Sequence, residues 1–195
     1  MSAALLKDAS KQHTIADDLE SVLHVLTWTT LCYVPHTMDS ASLDDHLQDV
    51  YDQYSRRTRN GGKVKGALLA AGDYIPPELQ LLKDSPLLGL LDDLSDPFVA
   101  VYGKPSKSMK RAPQSKSVQD EKTFLENLHL MHDDRLAYSK SPGWFQETIE
   151  TALNKPSWPA DDGSSELHPQ VQLGKRPRSP SLAASNEVKF PKHHS

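Results

Sequence analysis

A chain of 195 residues has room for one hydrophobic core of about 100–150 residues with tails, and a second full domain does not fit comfortably beside it. Its 22 Lys and Arg stand against 26 Asp and Glu, a net charge of -4. That balance excludes a chain-wide field for nucleic acid, so any basic binding surface must be local. Only 37% of the residues are hydrophobic and 7% aromatic, which predicts an ordered core sharing the chain with solvated segments.

Cys32 is the one cysteine, so no intrachain disulfide framework is possible and a reducing compartment is favoured. Its neighbours Thr30, Leu31, Tyr33 and Val34 read as a buried helix end. No apolar run approaches the roughly 20 residues of a membrane span, and the N-terminus lacks a secretory signal pattern. The expectation is a cytoplasmic and/or nuclear protein without a membrane partner.

In chain order, Thr14-Ile15-Ala16-Asp17 is a capping-box-like start to a helix running to about Tyr33. Its apolar residues Leu19, Val22, Leu23, Val25, Leu26, Trp28 and Leu31 occupy more than one stripe, which predicts burial on most of its circumference. A second box-like start, Ser42-Leu43-Asp44-Asp45, opens an amphipathic helix with Leu43, His46, Leu47, Val50, Tyr51 and Tyr54 on one face. Gly61-Gly62 breaks the chain before Lys63 to Ala71, where Val64, Leu68 and Leu69 face the core. Two proline-led pieces follow, Pro76 to Lys83 and Ser85-Pro86 to Leu94, and in the second the serine cap and first-turn proline mark a helix with Leu87, Leu88, Leu90, Leu91 and Leu94 buried. Phe98 to Tyr102 is the one strand-like run, and a single strand makes no sheet, so the class is all-α.

From Gly103 to Ser117 the composition turns basic, with proline and serine and no apolar period, as in a solvated loop. Helical patterning returns from Val118 toward Tyr138. Ser141-Pro142 then starts a last helix with Trp144, Phe145, Ile149, Ala152 and Leu153 on one side. From Ala160 to Ser195 few apolar residues remain, and disorder is expected. The domain plan is thus residues 1–102, a basic loop at 103–117, helices at 118–159 that pack on the first part, and a tail at 160–195.

Met1-Ser2, Leu5-Leu6, His13, Asp18-Leu19-Glu20-Ser21 and the leucine- and tryptophan-bearing run through Trp28 resemble the part of fungal-type protein kinases that follows the activation segment. The resemblance is specific over residues 1 to about 34 and weakens toward Tyr102. It implies the helical C-lobe of a protein-kinase-like fold. It also implies that Asp18 takes the place of the aspartate that holds the catalytic loop, with Ser21 the serine of the same turn. The glycine-rich loop, strand lysine, catalytic Asp and Asn and the Asp-Phe-Gly aspartate that phosphoryl transfer requires are not present in the sequence. Kinases carry all of these upstream of the segment matched by Met1. The resemblance therefore implies a C-lobe fragment, inactive alone, with ATP and magnesium as cofactors only of a full-length member and no cofactor in this chain. A non-catalytic nuclear helical interaction module is the alternative, with a protein partner on exposed helical faces.

Other constellations are weaker. Gly61-Gly62-Lys63 lacks the spacing of a phosphate loop and reads as a turn before a helix. His129, His132 and Asp133 lie within one helical turn without any zinc spacing and read as a solvated face, and the terminal His193-His194 is no better placed. Lys104, Lys107, Lys110, Arg111 and Lys116 have no interleaved aromatics for base stacking, so no nucleic-acid partner is expected. In the tail, Lys175, Arg176 and Arg178 form a short basic cluster followed by Ser179-Pro180. It resembles a nuclear-import signal, which an import carrier would bind, beside a phosphorylation site at Ser179.

Overall fold

Seven helices occur among the described residues of the structure, a computed structural model that describes residues 1–8, 10–52, 54–55, 60–103 and 118–160. They are α1 (Ala3–Lys7), α2 (Ile15–Tyr33), α3 (Ser40–Val50), α4 (Lys63–Ala71), α5 (Leu87–Tyr102), α6 (Val118–Tyr138) and α7 (Pro142–Leu153). Two two-residue strands, β1 (Tyr54–Ser55) and β2 (Asn60–Gly61), pair antiparallel with Tyr54 opposite Gly61. The expected all-α class holds apart from this small hairpin.

Helix starts follow the cap chemistry with one shift. Thr14 and Asp17 form the capping box of α2, and Ser141 Oγ accepts from Trp144 N to open α7. The start of α3 lies earlier than Ser42, because Asp39 Oδ1 accepts from both Ala41 N and Ser42 N and takes the capping role. Phe98 to Tyr102 is helical and not strand-like: α5 runs through it, past the internal Pro97, with Phe98 and Ala100 buried. Tertiary packing here overrides the β preference of the valines. The piece from Pro76 to Lys83 is not helical; His36 and Leu81 form an antiparallel bridge across it.

The core has two parts. Leu23, Val50, Leu69, Tyr74, Leu90, Leu91, Leu94, Phe98, Phe145 and Ala152 form the larger, which joins α2, α3, α4, α5 and α7. Leu31, Cys32, Leu43, Leu47 and Leu79 form the smaller, under α3. Tyr51, Ile75 and Leu88 pack against both. Helix α6 is tied to α5 by the paired hydrogen bonds of Arg135 with Asp96. The face expected for α7 holds for Phe145 and Ala152, whereas Leu153 is exposed.

Gly62, at φ 70°, joins β2 to α4, and α1 packs against its bare backbone. A Cβ there would lie 2.8 Å from the Ala3 carbonyl oxygen and 2.9 Å from Leu6 Cβ, so only glycine provides both the left-handed turn and the space.

Candidate functional site

Helix α2 departs from its expected burial in an instructive way. Its inward face carries Asp17, Glu20, His24, Thr27 and Thr30 alongside Leu23 and Leu31, all buried. Its outward face carries Ile15, Val22 and Val25, which are 55%, 44% and 61% exposed, with Trp28 and Tyr33 also open to solvent. The apolar residues therefore do not bury most of the circumference. Polar groups occupy the inside and an apolar stripe faces out.

The inward groups form one connected centre. Asp17 accepts from Ser2 Oγ at 2.7 Å, from Thr14 N at 2.9 Å and from Thr14 Oγ1 at 2.6 Å, and pairs with Lys11. Burial alone raises its pKa, but the bonds from Lys11, Thr14 and Ser2 outweigh that and hold the carboxyl well below the usual carboxylate range. One turn on, Glu20 Oε1 accepts from Ala3 N at 2.7 Å and contacts His24 Nε2 at 3.0 Å, while Oε2 accepts from Tyr102 OH at 2.6 Å. Tyr102 OH in turn accepts from Ala4 N at 3.0 Å. A buried carboxylate is tolerated when donors surround it in this way.

His24 continues the chain on its other side, with Nδ1 2.5 Å from Tyr74 OH and Tyr51 OH 3.0 Å further on. Lys65, itself buried, holds its ammonium 4.8 Å from the centre of the Tyr51 ring, a cation–π contact. Burial lowers the pKa of His24, against its bond to Glu20, and lowers that of Lys65. Burial also raises Tyr51, Tyr74 and Tyr102. Glu20, His24 and Tyr74 repeat the order of a general-base relay, yet both ring nitrogens of His24 are engaged and all three residues are at most 3% exposed. The centre is a proton network that holds elements together, with no nitrogen left for a substrate.

The site residues named from sequence fall elsewhere. Asp18 sits on the outward face, its side chain 65% exposed and 3.1 Å from His13 Nε2, between Ile15, Val22 and Val25 in helical register. Ser21 Oγ donates to the Asp17 carbonyl at 2.6 Å, within the helix itself. Asp17 and Glu20, on either side of Asp18 in sequence, are the carboxylates that face inward. The sequence does hold a signal for this centre, since Asp17, Glu20, His24 and Thr27 recur at three- and four-residue spacing. A polar stripe ordinarily faces water, however, and the partners Tyr74 and Tyr102 lie 50 and 82 residues from theirs in sequence.

Where the outward stripe ends, a groove of about 230 Å³ opens between Tyr33, Pro35, Leu81, Leu87, Trp158 and Pro159. Trp158 is fixed there by its indole N–H, which donates to the Ala152 carbonyl at 2.7 Å. Cys32 is buried and its thiol pKa is raised by burial. His132 Nδ1 lies 3.6 Å from Asp133 Oδ1, and no cluster of three metal-ligating side chains occurs among the described residues. Among them, too, no helix is long and apolar enough to cross a membrane. The loop lysines from Lys104 to Lys116, the basic cluster Lys175, Arg176 and Arg178, Ser179 and His193-His194 lie outside the described residues.

Comparison with protein-family models, with curated proteins and with solved structures finds no match to this chain.

Proposed function

We propose that this chain is a helical protein-binding half-domain, built like the C-terminal lobe of a fungal-type protein kinase, which transfers no phosphate by itself and offers the outward face of α2 to a protein partner. One observation carries the reading. Ile15, Val22 and Val25 are left open to solvent around the exposed Asp18, on a helix whose inner face is polar. Apolar side chains left open in this way along one side of a helix mark a protein contact. In the kinase family that the sequence resembles, this is the side of the helix against which the catalytic loop is held. Further support comes from Ser2, whose hydroxyl donates to Asp17, and from the adjoining Ala3, whose N–H donates to Glu20, so that the first residues and the α2 segment of the resemblance are bonded together.

The test has two readouts on the purified full chain. Incubation with labelled ATP, magnesium and a generic protein substrate is expected to give incorporation at the level of the protein-free blank; incorporation lost in Asp18→Ala overturns the non-catalytic half of the proposal. An apolar fluorescent dye is expected to bind the wild type and to lose most of its signal with Val22→Asp and Val25→Asp combined. An unchanged dye signal removes the docking face.

A further inference from the structure

We propose that His24 is a pH-operated latch for the N-terminal strap, residues 1–7, whose protonation releases the strap from its seat on α2, α4 and α5. The seat is made of side chains that satisfy the strap's own groups. Ala3 N bonds to Glu20, Ala4 N to Tyr102 and Ser2 Oγ to Asp17, while Ala3 and Leu6 press on Gly62 at the head of α4. Glu20 is the shared acceptor, since Oε1 serves both the strap and His24.

The hydrogen bonds admit one self-consistent proton arrangement for a neutral ring. His24 Nε2–H donates to Glu20, Nδ1 accepts from Tyr74 OH, and the Tyr74 oxygen accepts from Tyr51 OH. A second proton on Nδ1 points at the proton of Tyr74, so the Tyr74 hydroxyl must turn away or the contact must open. It also places an imidazolium beside the Lys65 ammonium. The charged and titratable side chains that face His24 are Glu20 on its own helix, Lys65 from α4, and the hydroxyls of Tyr74 and Tyr51. One of these is an ammonium group and one is a carboxylate. The charged ring pulls Glu20 toward itself and away from Ala3 N. Burial is consistent with this direction, as it already disfavours the charged ring.

The sign follows from linkage. The buried ring binds its proton less readily than a ring open to water does, whose pKa is about 6.5. Opening is therefore favoured by up to about tenfold for each pH unit below that value, until the seated ring also titrates. Above pH 7 the latch is closed.

Amide hydrogen exchange of the full chain, followed by mass spectrometry between pH 7.5 and 4.5 and scaled to intrinsic rates, tests this. Protection of the Ala3–Leu6 amides is expected to fall at least tenfold toward the acid end while the amides of α5 keep theirs. His24→Gln keeps a donor for Glu20 and an acceptor for Tyr74 but takes up no proton, and its strap protection is expected to be flat with pH. Equal strap protection at both ends, an equal loss in α5, or a pH dependence that survives His24→Gln overturns the latch. Should that variant fail to fold, the ring of His24 can be titrated in the wild type by NMR. Its midpoint is expected to coincide with strap release, and a separation of more than about one pH unit overturns the proposal.

Discussion

Asp17 and Asp18 are adjacent in sequence and opposite in environment, because one residue of helix turns the side chain by about 100°. Asp17 closes the capping box and takes the Ser2 hydroxyl and the Lys11 ammonium, whereas Asp18 pairs with His13 at the surface. Asp17→Ala is expected to lower stability by about 1–2 kcal/mol for the lost cap, and by about 1–3 kcal/mol more if the buried Ser2 hydroxyl finds no new partner. Asp18→Ala should stay within about 0.5 kcal/mol of wild type. Urea denaturation at pH 7 measures both. Because the native pKa of Asp17 lies below its unfolded value of about 3.9, its contribution is complete above that pH and is lost as the pH falls below it. The difference between Asp17→Ala and wild type should therefore shrink below pH 4. The Thr14 to Asp17 box was legible from residue types and spacing alone, but which of two neighbouring aspartates turns inward was not.

At the scale of elements, α2 shows why apolar content is a poor guide to which face is buried. Leu23 and Leu31 have no exposed surface while Val22 and Val25 stand open, and the seven-residue windows around them are similarly apolar. Leu23→Ala is expected to cost about 2–5 kcal/mol by leaving a cavity in the larger core, whereas Val25→Ser should change stability by no more than about 0.5 kcal/mol. Chemical denaturation of the two variants side by side checks the contrast; a large loss in Val25→Ser would mean that this face is already covered within the chain. Helix α5 makes the complementary point. Leu87 to Leu94 was readable as a helix from its cap and leucine spacing, but its continuation through Phe98 and Tyr102 was not, because the valines of that run favour strands by local preference. Burial of Phe98 and the reach of Tyr102 to Glu20 decide for helix.

Across the whole molecule, the two parts of the core meet through Tyr51, Ile75 and Leu88, and the polar centre ties α1, α2, α4 and α5 through Ser2, Glu20, His24, Lys65 and Tyr102. Such shared residues predict a single cooperative unit. Leu91→Ala, in the larger part, and Leu31→Ala, in the smaller, should each lower the melting temperature while leaving one transition, coincident by near- and far-ultraviolet circular dichroism. Two separated transitions in either variant would show that the parts melt independently.

Residue types and their spacing determined the helical class, the starts of α2 and α7, the turn at Gly62 and the burial of Leu90, Leu91 and Leu94 in α5, with Leu87 and Leu88 only half-buried, because caps, turns and periodicity are local and act within one or two turns of chain. Tertiary structure alone decided that the polar face of α2 is the buried one. A stripe of Asp, Glu, His and Thr reads as solvated until Ser2, Lys65, Tyr74 and Tyr102 arrive from distant segments to satisfy it, and no short-range pattern encodes those meetings. The same long-range choice leaves Val22 and Val25 facing outward, since a helix that satisfies its polar groups inside has only its other side left for the remaining apolar ones.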